Sequence, residues 1–276
     1  MDDIFYFITQ HLFIQNAILA GILSGIACGI TGTYVVVKKI SYISGGIAHA
    51  VMGGLGIAYF LQINPLLGAL VFAIVAAVLI GTVRLSFKQN EDTVISALWS
   101  IGMAIGIIFT YLTPGYNVDL LSFLFGNILM VSRANLLVLL VLNVVIGGIV
   151  FIFYRQFKYV CFDEEYARLR GIRVSRIYLL LLSLIALTVV ILIQTVGLIL
   201  IIALLTLPAS IATLFSKNMG KIMLLAIVFS ILFTQTGLLL SFSLNLPSGA
   251  SIILVAGLAY LLTMGIRQLK ITQTKN

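Results

Sequence analysis

EEYARLRGI, residues 164–172, is a charged island just ahead of IYLLLLSLIALTVVILIQTVG, residues 177–197. The contrast decides the fold. An uncharged apolar run of about 20 residues is long enough to cross a bilayer as a helix. The island before it gathers Arg168, Arg170, Arg173 and Arg176, four of the sixteen basic residues, with Asp163, Glu164 and Glu165, three of the eight acidic ones. A chain with almost no soluble mass thus keeps one short, charge-dense helix on one side of the membrane. Such a helix suits a subunit that something outside the bilayer must grip.

Composition agrees along the whole length. The chain is 62% hydrophobic and 9% charged, with a mean hydropathy of +1.22, whereas soluble domains carry about 25% charged residues. Apolar stretches recur at 12–37, 43–62, 65–86, 93–113, 134–154, 177–197, 222–242 and 249–266. A ninth, 199–215, is short and carries Pro208. Exposed backbone in lipid must satisfy its own hydrogen bonds, so the expected fold is all-α: one polytopic transmembrane bundle of 8–9 helices over residues 1–276. The net charge of +8 is explained by topology rather than by nucleic acid. Cys28 and Cys161 lack CxxC spacing, which gives no disulfide framework or zinc knuckle. Asp2 and Asp3 stand where a signal peptide would carry positive charge, so no cleaved leader is expected.

Basic residues set the expected orientation. Lys38 and Lys39 follow the first span, and Arg84 and Lys88 follow the third. Arg155 and Lys158 open the long charged loop, Lys217 and Lys221 flank the next, and Arg267 and Lys270 close the chain. If 199–215 crosses, all of these share one face, expected to be the cytoplasmic one. The other face holds Asp2, Asp3, Asp119 and Arg133. Nine crossings, N-terminus outside and C-terminus inside, rank first. Eight crossings, with 199–215 re-entrant, rank second. Residues 120–131 are too short to span and form either a half-helix dipping in from outside or an interfacial helix.

Gly21, Gly25 and Gly29 recur at four-residue spacing, and the second helix carries Gly45, Gly46, Gly53, Gly54 and Gly56. Small residues on a stripe let helices approach closely in lipid, where no hydrophobic force drives them together. Close packing accounts for most of these glycines. His49 stands between Gly45 and Gly53 on one stripe, and a lone imidazole in lipid is costly enough that it should face protein or water. Its residues alone allow a core histidine bonded to a backbone carbonyl or serine as readily as a metal ligand. No Asp or Glu lies inside any span, which disfavours a proton- or sodium-coupled carrier. No GxxxxGK[ST] loop occurs, so the chain has no phosphate loop of its own.

The order of these features resembles the ABC-3 family of metal-ion importer permeases over almost the whole chain. The resemblance is most specific from EEYARLRGI through SRIYLLLLSLIALTVVILIQTVGLILIIALLTLPASIATL, residues 164–214. Further matches are GGIAHAVMGGLG at 45–56, LFGNILMV at 124–131 and LNLPSGASIIL at 244–254. Three departures touch the ion path. The family's Gly-Asp before the histidine is Gly45-Gly46 here, its LFGD is LFGN at Asn127, and its LDLPSG is LNLPSG at Asn245.

By that resemblance the chain is the non-enzymatic permease of an ATP-driven divalent-metal importer, with no catalytic residues. Its implied pathway residues are His49, Asn127 and Asn245. Its implied coupling segment is 160–176, with Glu164, Glu165, Ala167, Arg168, Arg170 and Gly171 meeting the ATPase. The implied partners are cytoplasmic ATP-binding subunits, an extracytoplasmic metal-binding protein, a second permease copy and membrane lipid, in a prokaryotic cytoplasmic membrane. The expected cargo is zinc, because imidazole is the one titratable group retained, with manganese or iron(II) as alternatives. Two rivals are a permease for a metal chelate such as a siderophore or cobalamin, and a non-transporting scaffold or sensor.

Overall fold

A computed structural model describes residues 12–86, 91–114, 124 and 126–273. The described residues form ten α-helices and one 3-10 turn, with no strand among them. Nine helices are long and apolar enough to cross a membrane: α1 (Leu12–Val37), α2 (Ser41–Phe60), α3 (Pro65–Ser86), α4 (Glu91–Leu112), α5 (Arg133–Phe162), α7 (Val174–Ile193), α8 (Leu198–Phe215), α9 (Met219–Leu244) and α10 (Ser248–Gln273). The tenth, α6 (Glu164–Leu169), is the charged island.

Residues 199–215, expected to be short and interrupted, lie in one continuous helix with Pro208 inside it. A membrane helix tolerates proline because its neighbours can take over the freed backbone groups. Its 18 residues reach about 27 Å, close to the hydrocarbon thickness. The nine-span count therefore replaces the eight-span alternative. Nine alternating spans gather Lys38, Lys39, Arg84, Arg155, Lys158, Lys217, Lys221 and Arg267 at one end of the bundle, hereafter the basic end, with Arg133 at the other. Lys88, Asp2, Asp3 and Asp119 lie outside the described residues.

One expectation needs correction. Arg155 and Lys158 do not open a loop: α5 runs on unbroken to Phe162. Its 30 residues span about 45 Å, enough to carry a charged last turn clear of the hydrocarbon. Asp163 then serves twice, closing α5 and capping α6, where its Oδ1 accepts from the Tyr166 N–H at 2.9 Å.

The glycine stripes do pack closely, but not against each other. On α1, a Cβ at Gly25 would lie 3.0 Å from Ile231, and one at Gly29 would lie 2.6 Å from Ile227, both on α9. On α2, Gly53 and Gly56 face Gly102 and Gly106 of α4, while Gly54 meets Gly68 of α3. So α1 docks on α9, and α2 is clasped between α3 and α4. Asparagine side chains add cross-links that lipid cannot compete for: Asn143 of α5 donates to the Leu23 carbonyl of α1 at 3.0 Å, and Asn16 donates to the Val131 carbonyl at 3.2 Å.

Residues 120–123 and 125, five of the twelve in the expected dipping or interfacial helix, lie outside the described residues. The described run 126–131 is no α-helix. It is a 3-10 turn, Ile128–Met130, entered through Gly126 at φ +63°. Gly126 abuts the backbone of Val196 and Gly197, leaving no room for a Cβ.

Candidate functional site

His49 lies near the middle of α2 and is half-buried. Its Nδ1 is 2.8 Å from the Gly45 carbonyl one turn back. A carbonyl only accepts, so Nδ1 carries the proton and Nε2 keeps its lone pair. The ring stacks on Trp99 of α4, centroids 3.8 Å apart and planes 25° from parallel. Toward the basic end, about two turns away on α2 and one on α4, Tyr42 Oη and Ser96 Oγ share a hydrogen bond of 2.5 Å between the same two helices. Two contacts therefore fix the imidazole: the carbonyl sets its tautomer and the indole its plane.

The space around it differs between the two glycines one turn back, Gly45 and Gly46. A Cβ at Gly45 would meet nothing within 4 Å, whereas one at Gly46 would run into Ile95. Among the described residues no three His, Cys, Asp or Glu side chains converge. The imidazole is a single neutral donor beside an open patch, which suits brief ligation rather than tight capture.

Asn127 and Asn245 are at the end opposite the basic loops, and both are exposed. Each builds a turn. Asn127 caps the 3-10 turn, its side chain accepting from the Leu129 N–H at 3.2 Å. Asn245 ends α9 in the left-handed conformation, φ 53° and ψ 42°, which asparagine adopts more readily than most residues. No hydrogen bond or ring contact joins either to His49 among the described residues. The three candidates form no single cluster in one chain.

The coupling candidates do form one unit. Ala167 is buried and anchors α6 against the bundle, while Glu165, Arg168, Arg170 and Gly171 are exposed. The Arg170 guanidinium donates to Tyr166 Oη at 2.9 Å and lies 5.2 Å from that ring. Gly171, at φ +75°, turns the chain toward α7. Leu169 is 87% exposed in the middle of this polar surface. Glu164 turns back and pairs with Lys38 at 2.5 Å.

The family described as the ABC 3 transport family matches residues 10–267. The chain belongs to it. A probable metal transport system membrane protein of Chlamydia trachomatis is 43% identical over 258 residues, covering 91% of this chain and 88% of that protein. The manganese transport system membrane protein MntC of Halalkalibacterium halodurans is 34% identical, with 95% and 91% covered. Among solved structures, PsaBC from Streptococcus pneumoniae in complex with Fab superposes with a TM-score of 0.84 at 31% identity, covering 93% of this chain and 92% of that one. This ABC 3 member is therefore a permease of a metal ABC importer.

The partners of two residues important to this geometry carry no sequence signal. Trp99 is the chain's one tryptophan, but nothing in the 93–113 stretch says which helix it faces. Lys38 was read as a topology marker alone, and its ion pair with Glu164, 126 positions away, has no sequence signal.

Proposed function

We propose that this permease, as one of two copies, passes manganese inward through the cytoplasmic membrane when separate ATP-binding subunits push on α6. The arrangement of α6 carries the reading. It is capped at Asp163 and anchored by Ala167, and it presents Leu169 and two arginines outward. Two exposed arginines beside this leucine offer a protein partner the side chains that most often anchor interfaces. The positive-inside rule puts this end in the cytoplasm, with the C-terminus, and the N-terminus outside.

Manganese replaces zinc as the leading cargo. The zinc expectation rested on the imidazole alone, whereas relatives at 31–34% identity are named for manganese transport or import. Amide oxygens at Asn127 and Asn245 are hard donors of the kind manganese accepts. In this reading an ion delivered by an extracytoplasmic binding protein passes these amides, rests briefly on His49 Nε2, and leaves when α6 moves the surrounding helices.

The test is uptake into proteoliposomes holding the complete complex, with manganese and zinc in competition. ATP-dependent manganese uptake that excess zinc does not replace is expected. Uptake of a metal only as its chelate, or no ATP-dependent uptake of any metal, would overturn the reading.

A further inference from the structure

We infer that Lys38 is a positioning residue that ties the coupling helix to the root of α2. The proposal rests on the coupling role of α6 stated above. The Lys38 ammonium lies in the three-residue turn between α1 and α2, with its side chain only 9% exposed. Its Nζ donates to the Val160 carbonyl at 2.6 Å and to Glu164 Oε1 at 2.5 Å. Val160 belongs to the last turn of α5, and Glu164 is the first residue of α6. Between them stands Asp163, the single residue on which the two helices join. Lys38 therefore straddles that joint and holds its angle.

The chemistry of the clasp is specific. A carbonyl in the last turn of a helix carries partial negative charge, and the carboxylate beside it is fully charged, so an ammonium satisfies both. A buried cation left without its partner is strongly disfavoured, so Lys38 should follow Glu164 rather than release it. The turn it pulls on is tight: Lys39 sits at φ 60°, and Ile40 N–H donates back to Val35 O at 2.9 Å. Ser41 opens α2 immediately afterwards, and His49 follows about 12 Å along the helix.

Movement of α6 thus has a direct route to the helix bearing His49. The covalent route through α5 ends on a different part of the bundle, because α5 packs on α1 and α7 rather than on α2; the route through α7 does reach α2 but bypasses the α1–α2 turn that Lys38 holds. Removing the ammonium should leave the parts assembled and break the relay. ATP would still be hydrolysed, but with less metal moved per turnover.

The test compares wild type, Lys38→Arg, Lys38→Gln and Glu164→Gln in proteoliposomes with the ATP-binding and metal-binding subunits. Manganese uptake and ATP hydrolysis are measured together. Lys38→Gln should lower manganese moved per ATP by about 5-fold or more, a typical coupling factor between sites. Glu164→Gln should do the same to a smaller degree, Lys38→Arg should restore the ratio, and the double glutamine variant should be no worse than Lys38→Gln. A structural role alone would change assembly or melting but not this ratio. If Lys38→Gln fails to assemble, the double glutamine variant decides, because removing both groups strands neither the 9% exposed ammonium nor the 34% exposed carboxylate. A wild-type ratio in any assembled glutamine variant overturns the proposal alone. Absence of ATP-dependent uptake in wild type overturns the function reading and the proposal with it.

Discussion

The imidazole of His49 lies flat on the indole of Trp99, 3.8 Å away, and so joins the middle of α2 to α4 through two rings. Close packing of Gly53 on Gly102 and of Gly56 on Gly106 brings the helices near enough for this stack. The ring's remaining freedom is taken up by the Gly45 carbonyl. A donor nitrogen held this way meets an ion without first paying to stop its own rotation.

Removing the stack should therefore weaken metal passage without abolishing it. Aromatic pairs contribute about 0.5–1.5 kcal/mol beyond burial, so Trp99→Ala should raise the manganese KM by roughly 2- to 10-fold. Trp99→Phe should recover part of the loss, and His49→Ala should slow uptake further while leaving assembly intact. Because Trp99 is the one tryptophan, its emission can be followed directly. Manganese should quench it in the wild type and not in His49→Ala.

Substitutions at Arg168 and Arg170 address the outward face of α6. Arg168→Glu with Arg170→Glu reverses the charge around Leu169 and removes the guanidinium that braces Tyr166. The chain should insert normally yet fail to retain its ATP-binding subunit in pull-down from detergent. Normal uptake by this variant would count against coupling through α6.

Glycines with and without space behind them should separate cleanly. Gly54→Ala places a methyl group against the Gly68 backbone and should lower stability by about 1–3 kcal/mol. Gly147 has nothing within 4 Å of the added Cβ, so Gly147→Ala should leave the melting temperature unchanged or slightly raised. Thermal melting in detergent measures both. Equal behaviour would mean that α2 and α3 do not touch at Gly54.

Asn245 offers a way to divide turn building from ion contact. Asn245→Ala forces an alanine into a left-handed conformation and should cost about 1 kcal/mol. Asn245→Gly keeps the turn and removes the amide. It should melt like wild type and take up manganese more slowly. Wild-type uptake by the glycine variant would leave Asn245 a turn residue only.

Much of the fold was open to reading before any coordinates. Span lengths, the sidedness of Lys38, Arg84 and Lys217, and the short helix at Glu164 all follow from local chemistry: hydrocarbon thickness, charge placement and capping. Helix boundaries near charged ends were less legible. Arg155 and Lys158 look like a loop in composition, but a helix can leave the hydrocarbon without stopping, as α5 does.

Partner choice belongs to the folded molecule. The stripes on α1 and α2 advertise close approach, but the periodicity of one helix carries no address for its neighbour. Only packing assigned α9 to Gly25 and α4 to Gly53. The same holds for the polar contacts that matter to function. His49 was visible as an imidazole in lipid, and Lys38 as a charge at a membrane edge. That one rests on Trp99 and the other grips Glu164 depends on contacts 50 and 126 residues apart along the chain, where sequence order no longer constrains distance.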